Sequence, residues 1–81
     1  MKVAVKLFAV ARQRVGHGTI EVELPNEATV RHLRSALAEQ FPPLAEILPH
    51  IRIAVNNEYA ADSNPQAAAY EIALIPPVSG G

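Results

Sequence analysis

Hydrophobic and polar residues alternate from the start of the chain, with Val3, Val5 and Leu7 on one face and Lys2, Ala4, Lys6 and Phe8 on the other. A period of two predicts a half-buried β-strand over Lys2 to Val10. The pattern returns at Thr19 to Leu24, where Ile20, Val22 and Leu24 alternate with Thr19, Glu21 and Glu23. Arg12, Gln13, Arg14 and Gly16 lie between these segments and read as a polar connection, so an antiparallel hairpin is expected. Lys2 and Lys6 would then share a face with Glu21 and Glu23. Exposed pairs of this kind contribute at most ~1 kcal/mol, which marks the face as solvated charge.

Pro25 and Asn26 interrupt the second strand, and Thr29 is placed to cap a helix from about Val30 to Gln40. Val30, Leu33, Ala36, Leu37 and Phe41 fall at helical spacing, and Pro42-Pro43 ends the helix. An irregular or helical turn follows over Leu44 to Leu48. A third strand is predicted from Ile51 to Val55, a tight turn at Asn56-Asn57 and a short edge strand from Glu58 to Ala60. Asn64-Pro65 reads as a helix cap followed by proline at the first helical position, with one short turn continuing through Ala69. Tyr70 to Ile75 forms the last strand, stopped by Pro76-Pro77. This order predicts an α+β domain of the β-grasp, or ubiquitin-like, type: a mixed sheet of four to five strands with one main helix packed on one face. The domain spans residues 1–75, and residues 76–81 form a flexible tail.

Composition narrows the chemistry. A chain of 81 residues supports one core, and 7 Lys+Arg against 8 Asp+Glu gives 7 − 8 = −1, which argues against a nucleic-acid partner. No apolar run approaches the ~20 residues of a membrane-spanning helix, and Met1 leads into a strand instead of a secretion signal. A cytoplasmic chain with no membrane partner is expected. With Cys 0 there is no thiol nucleophile and no thiolate metal site. His17, His32 and His50 lack the spacing of zinc motifs, and Ser35 and Ser79 have no histidine placed to activate them. No metal site and no catalytic constellation is expected, so the chain is read as non-catalytic by itself.

The end of the chain, Ile75-Pro76-Pro77-Val78-Ser79-Gly80-Gly81, is more informative. Consecutive prolines favour an extended segment that rises ~3.1 Å per residue, and two glycines remove side chains beside the terminal carboxylate. Such a stalk suits insertion into a narrow site on another protein; a frayed end is the alternative. This tail, together with Phe8-Ala9 followed by Arg12 and Gly16, the central Ala54-Val55-Asn56, and Glu71 to Ile75, resembles the small, sulfur-carrier subunit of molybdopterin synthase, the MoaD-type group of ubiquitin-like sulfur carriers. The resemblance covers almost the whole chain. It departs from the family pattern at Gln13, Asn57 and Ala69-Tyr70, none of them in the tail.

The resemblance implies that the Gly81 carboxylate is adenylated by a ubiquitin-activating-enzyme-like adenylyltransferase using ATP and Mg²⁺. A sulfur donor protein would then convert it to a thiocarboxylate. Pro76, Pro77, Val78, Ser79 and Gly80 would carry it into the large synthase subunit, within a heterotetramer, to deliver sulfur to cyclic pyranopterin monophosphate in molybdenum cofactor synthesis. No cofactor bound to this chain is implied. A ubiquitin-like protein modifier and a carrier for another pathway, such as thiamin synthesis, are the alternatives. Phe8 and Ile75 both point away from the core faces of their strands, so they are expected to form an apolar patch beside the root of the tail. That patch is either a partner surface or a small second core under a loop. Arg12 matches the family's arginine and is assigned to docking with them.

Overall fold

The computed structural model describes residues 1–66 and 70–76. The elements are β1 (Lys2–Leu7), α1 (Ala9–Val15), β2 (Thr19–Glu23), α2 (Val30–Gln40), β3 (Arg52–Val55), β4 (Glu58–Tyr59) and β5 (Ile72–Ile75), with 3₁₀ turns at Pro42–Leu44 and Leu48–His50. They form a five-stranded sheet in the order β2-β1-β5-β3-β4. The pairing of β1 with β5 is parallel and the others are antiparallel. This is the mixed sheet with one main helix that the sequence pattern predicts.

The period-two pattern of β1 translates directly into burial. Val3, Val5 and Leu7 are almost wholly inaccessible, as are Val22, Ile53, Ile72 and Leu74 on the neighbouring strands. Helix α2 supplies the complementary stripe through Val30, Leu33, Ala36 and Leu37, which join the same core. Its start is tied down locally, because the Thr29 N–H donates to His32 Nδ1 at 2.9 Å. Its end comes where predicted: Phe41, which precedes proline, leaves the helical region at φ −131°.

The expected polar connection after β1 is in fact helix α1. The strand stops at Leu7, not Val10, because Phe8 is extended while Ala9 adopts a left-handed φ of 49° and turns the chain. Ala11 is buried completely against the core, and Gly16 closes the helix in the left-handed region, its N–H donating to the Arg12 carbonyl at 2.8 Å. The hairpin of β1 and β2 therefore forms around a helix instead of a loop. Its charge pairing is also narrower than expected. Lys2 sits opposite Glu23, with Nζ to Oε1 3.9 Å, whereas Lys6 faces Thr19.

Three other segments depart from expectation. The strands called for at Ile51 and Tyr70 begin one and two residues later, at Arg52 and Ile72. Pro65 pairs with Thr29 in an isolated antiparallel bridge, and the Asn64 carbonyl accepts the Val30 N–H at 2.9 Å, so this pair does not open a helix. The remainder of that expected turn, 67–69, lies outside the described residues. On α2, the Arg34 Nη1 donates to the carbonyls of Leu48 (2.9 Å) and Ile51 (3.0 Å), and its Nε to Asp62 Oδ1 at 3.3 Å. One guanidinium thereby fastens α2 to the turn that launches β3. The Asn56-Asn57 turn is as predicted, with φ of 52° and 68°.

Leu37 is fully buried at the centre of the helix stripe. Leu37→Ala is expected to lower unfolding free energy by about 2–5 kcal/mol in chemical denaturation.

Candidate functional site

Strand parity decides which residues reach the outer face of the sheet. Core positions on β1 and β5 are odd and even respectively, so Lys6 and Phe8 emerge on the same side as Ala73 and Ile75. The register carries this across β3 and β4: Lys6 pairs with Ala73, Ala73 with Ala54, and Ala54 with Tyr59. The result is a row with small side chains in the middle and larger ones at its ends. Ile75 in turn pairs with Arg52, which stands next to Ala54 on the same face.

These rows enclose a groove of about 340 Å³ lined by Lys6, Phe8, Ala54, Tyr59, Ala73 and Ile75 among others. Its floor is alanine, which is why the surface dips there. Its walls hold the exposed large hydrophobics of the described chain, Phe8 at 46% and Tyr59 at 61% accessibility. The Arg52 guanidinium carbon lies 5.0 Å from the Tyr59 ring centroid, a cation–π contact that steadies the exposed ring. Phe8 and Ile75 thus meet on one surface, as expected, and Phe8 is open to solvent instead of lying beneath a loop.

Tyr59 was not among the expected site residues. The signal for it was present: the two-residue Asn56-Asn57 turn sets the β3–β4 register and so commits an aromatic residue to the outer face. Arg12, by contrast, does not line this groove. It projects from α1 over Gly18, where an added Cβ would lie 3.7 Å from Arg12 Nε. Pro76 continues directly from Ile75 and is half-buried. Pro77, Val78, Ser79, Gly80 and Gly81 lie outside the described residues.

Among the described residues there is no cluster of His, Cys, Asp and Glu suited to holding a metal. None of their helices is long and apolar enough to cross a membrane. What the geometry offers is a shallow apolar recess with aromatic walls, set at the point where β5 delivers the chain to its last residues. Recesses of this composition suit a protein partner.

The same sequence pattern and fold recur in known proteins. A family model described as the ThiS family matches residues 5–81. The molybdopterin synthase sulfur carrier subunit of Arabidopsis thaliana is 35% identical over 100% of this chain and 84% of its own length. The crystal structure of SAMP1 from Haloferax volcanii superposes with a TM-score of 0.86 at 35% identity, covering 100% of both chains. A chain from the complex of subunits 1 and 2 of the molybdopterin-converting factor of Helicobacter pylori superposes with a TM-score of 0.69 at 27% identity, again over 100% of both.

Because Phe8 and Tyr59 stand outside the core, Phe8→Ala and Tyr59→Ala are each expected to leave the domain folded. The thermal midpoint should fall by no more than about 8 °C, the equivalent of ~1 kcal/mol in a domain of this size. A larger fall would place that ring in the core.

Proposed function

The chain belongs to the ThiS family, and from that premise we propose that it is the sulfur-carrier subunit of a molybdopterin synthase. The observation that carries the reading is the position of the groove. Its Phe8 and Ile75 sit where β5 hands over to the segment ending Gly80-Gly81. A partner that grips the groove therefore receives the chain end at a fixed starting point.

The chemistry proposed for Gly81 follows from the reactivity of carboxylates. A carboxylate is a poor electrophile. Attack of its oxygen on the α-phosphate of ATP, held with Mg²⁺ by an activating enzyme, expels pyrophosphate and leaves an acyl adenylate. The outer sulfur of a persulfide on a donor protein then adds to the carbonyl carbon and expels AMP. A second thiol of the partners attacks the donor's own sulfur, breaking the S–S bond so that the donor side is left as a disulfide and Gly81 as a thiocarboxylate. This chain contributes the acyl group and a slender approach to it, while its partners supply the catalytic groups. Transfer of that sulfur to cyclic pyranopterin monophosphate would occur in the large synthase subunit. The Helicobacter pylori complex, in which a similar chain is a converting-factor subunit beside another, supports such an assembly.

A second reading has a specific observation behind it: small archaeal modifier protein 1 of Haloferax volcanii is 38% identical over 94% of this chain. In a modifier role the same activated Gly81 carbonyl would be taken by a lysine amine, giving an isopeptide bond instead of a thiocarboxylate. Conjugates on lysines of other proteins would favour this reading.

Intact mass spectrometry after incubation with the activating enzyme, ATP and a sulfur source is expected to show a gain of about 16 Da, sulfur replacing oxygen at Gly81. Deleting Gly81, adding one residue after it, or making Gly80→Val should abolish this gain without changing the circular dichroism spectrum. One residue displaces the reacting carbonyl by up to ~3.6 Å, more than an attack distance of ~3–3.5 Å tolerates. Sulfur loading at the parent rate in the extended chain would overturn the reading. In calorimetry, Phe8→Ala is expected to weaken binding of the large subunit by at least about 30-fold, the loss typical of an aromatic anchor. Unchanged affinity would remove the groove from the interface.

A further inference from the structure

The sheet has two edges, and each is an opportunity for another strand to pair with it. At one edge β4 is only two residues long. The other edge, β2, is longer. The Leu24 N–H donates to the Met1 carbonyl at 2.7 Å and the Leu7 N–H to the Gly18 carbonyl at 2.9 Å. Even-numbered residues in this stretch therefore turn their backbone groups toward β1. Thr19, Glu21 and Glu23 turn theirs outward.

The outward groups of Glu23 are occupied by a side chain. Gln40, the last residue of α2, accepts the Glu23 N–H at its Oε1 (3.0 Å) and donates from Nε2 to the Glu23 carbonyl (2.9 Å). A primary amide carries one acceptor and two donors, so it reproduces the paired N–H···O bonds that a residue of a neighbouring strand would make. We infer that Gln40 acts as a latch on the free edge of β2 and prevents a second copy of this chain from extending the sheet through it.

Charge reinforces the latch. In an antiparallel pairing of β2 with its own copy, the register that uses all three outward residues sets Thr19 against the copy's Glu23 and Glu21 against the copy's Glu21. Identical carboxylates face each other at the centre of that pairing, which opposes it. With Glu23 already bonded to Gln40, only Thr19 and Glu21 remain, too few positions for a stable strand pair. The β2 edge is closed at one end by hydrogen bonding and in the middle by repulsion.

The test combines amide hydrogen exchange with sedimentation. In dilute Gln40→Ala, exchange of the Glu23 amide is expected to accelerate by at least about tenfold, since one hydrogen bond is released. In Gln40→Glu the carboxylate still accepts from that amide, so its exchange should stay slow. The double variant Gln40→Ala with Glu21→Thr is expected to sediment as a dimer at concentrations where the parent is a monomer, with the backbone amides at positions 19, 21 and 23 protected in the dimer. Unchanged Glu23 exchange in Gln40→Ala overturns the latch. So does a double variant that stays monomeric at those concentrations, or one that dimerises with these amides still fast. If the double variant does not fold, the exchange rates of the two single variants decide.

Discussion

The parallel pairing of β1 with β5 is the constraint on which the rest of this molecule depends. Val5 lies beside Ile72, Lys6 beside Ala73 and Leu7 beside Leu74, so segments from the two ends of the chain form the middle of the sheet. Parallel strands cannot be joined by a tight turn, and the intervening chain must cross over a face of the sheet. Helix α2 lies in that crossover and buries Leu33 and Leu37 beneath the strands. On the opposite face, Phe8 just beyond β1 and Ile75 at the end of β5 line one groove. One register thus builds the core below and the candidate docking surface above.

The division between those faces explains why so few polar side chains are committed to holding the fold. Alternation sends nearly every large aliphatic residue of the strands inward, and the outer face keeps alanines at its centre. Polar contacts appear instead at the seams between elements. Arg34 binds the carbonyls of Leu48 and Ile51, and Asn56 Oδ1 accepts the Glu71 N–H at 2.9 Å. Each satisfies backbone groups that leave regular structure at a turn, where no ladder can take them.

What could be read from the sequence follows the range of the interactions involved. β1, β2 and α2 announce themselves because burial repeats every two residues in the strands and every three or four in the helix. The Asn56-Asn57 turn is legible because left-handed backbone is a local demand with few residue solutions. Helix α1 is harder to see, being seven residues long with Ala11 as its buried position, and its charged Arg12 and Arg14 resemble loop composition. Its marks were the Ala11 and Val15 spacing and the glycine after it. The role of Arg34 could not be read at all, since its acceptors lie 14 and 17 residues away and are set by the path of the turn, not by local pattern. The patch of Phe8 and Ile75 was legible from strand parity. Tyr59 joins it only through the pairing of β3 with both β4 and β5.

The central parallel pair also imposes an order in time. While the chain is being synthesised, β1 has β2 as its sole strand partner until Ile72 to Ile75 have been made, and β3 and β4 have no sheet to join. A hairpin with one exposed hydrophobic face is marginal in water, so cooperative closure waits for β5. The segment that closes the sheet is the one immediately preceding the Gly80-Gly81 end. A chain interrupted before β5 is therefore left without a stable domain, and a nascent chain cannot complete its sheet until the residues just before Gly80-Gly81 have been made.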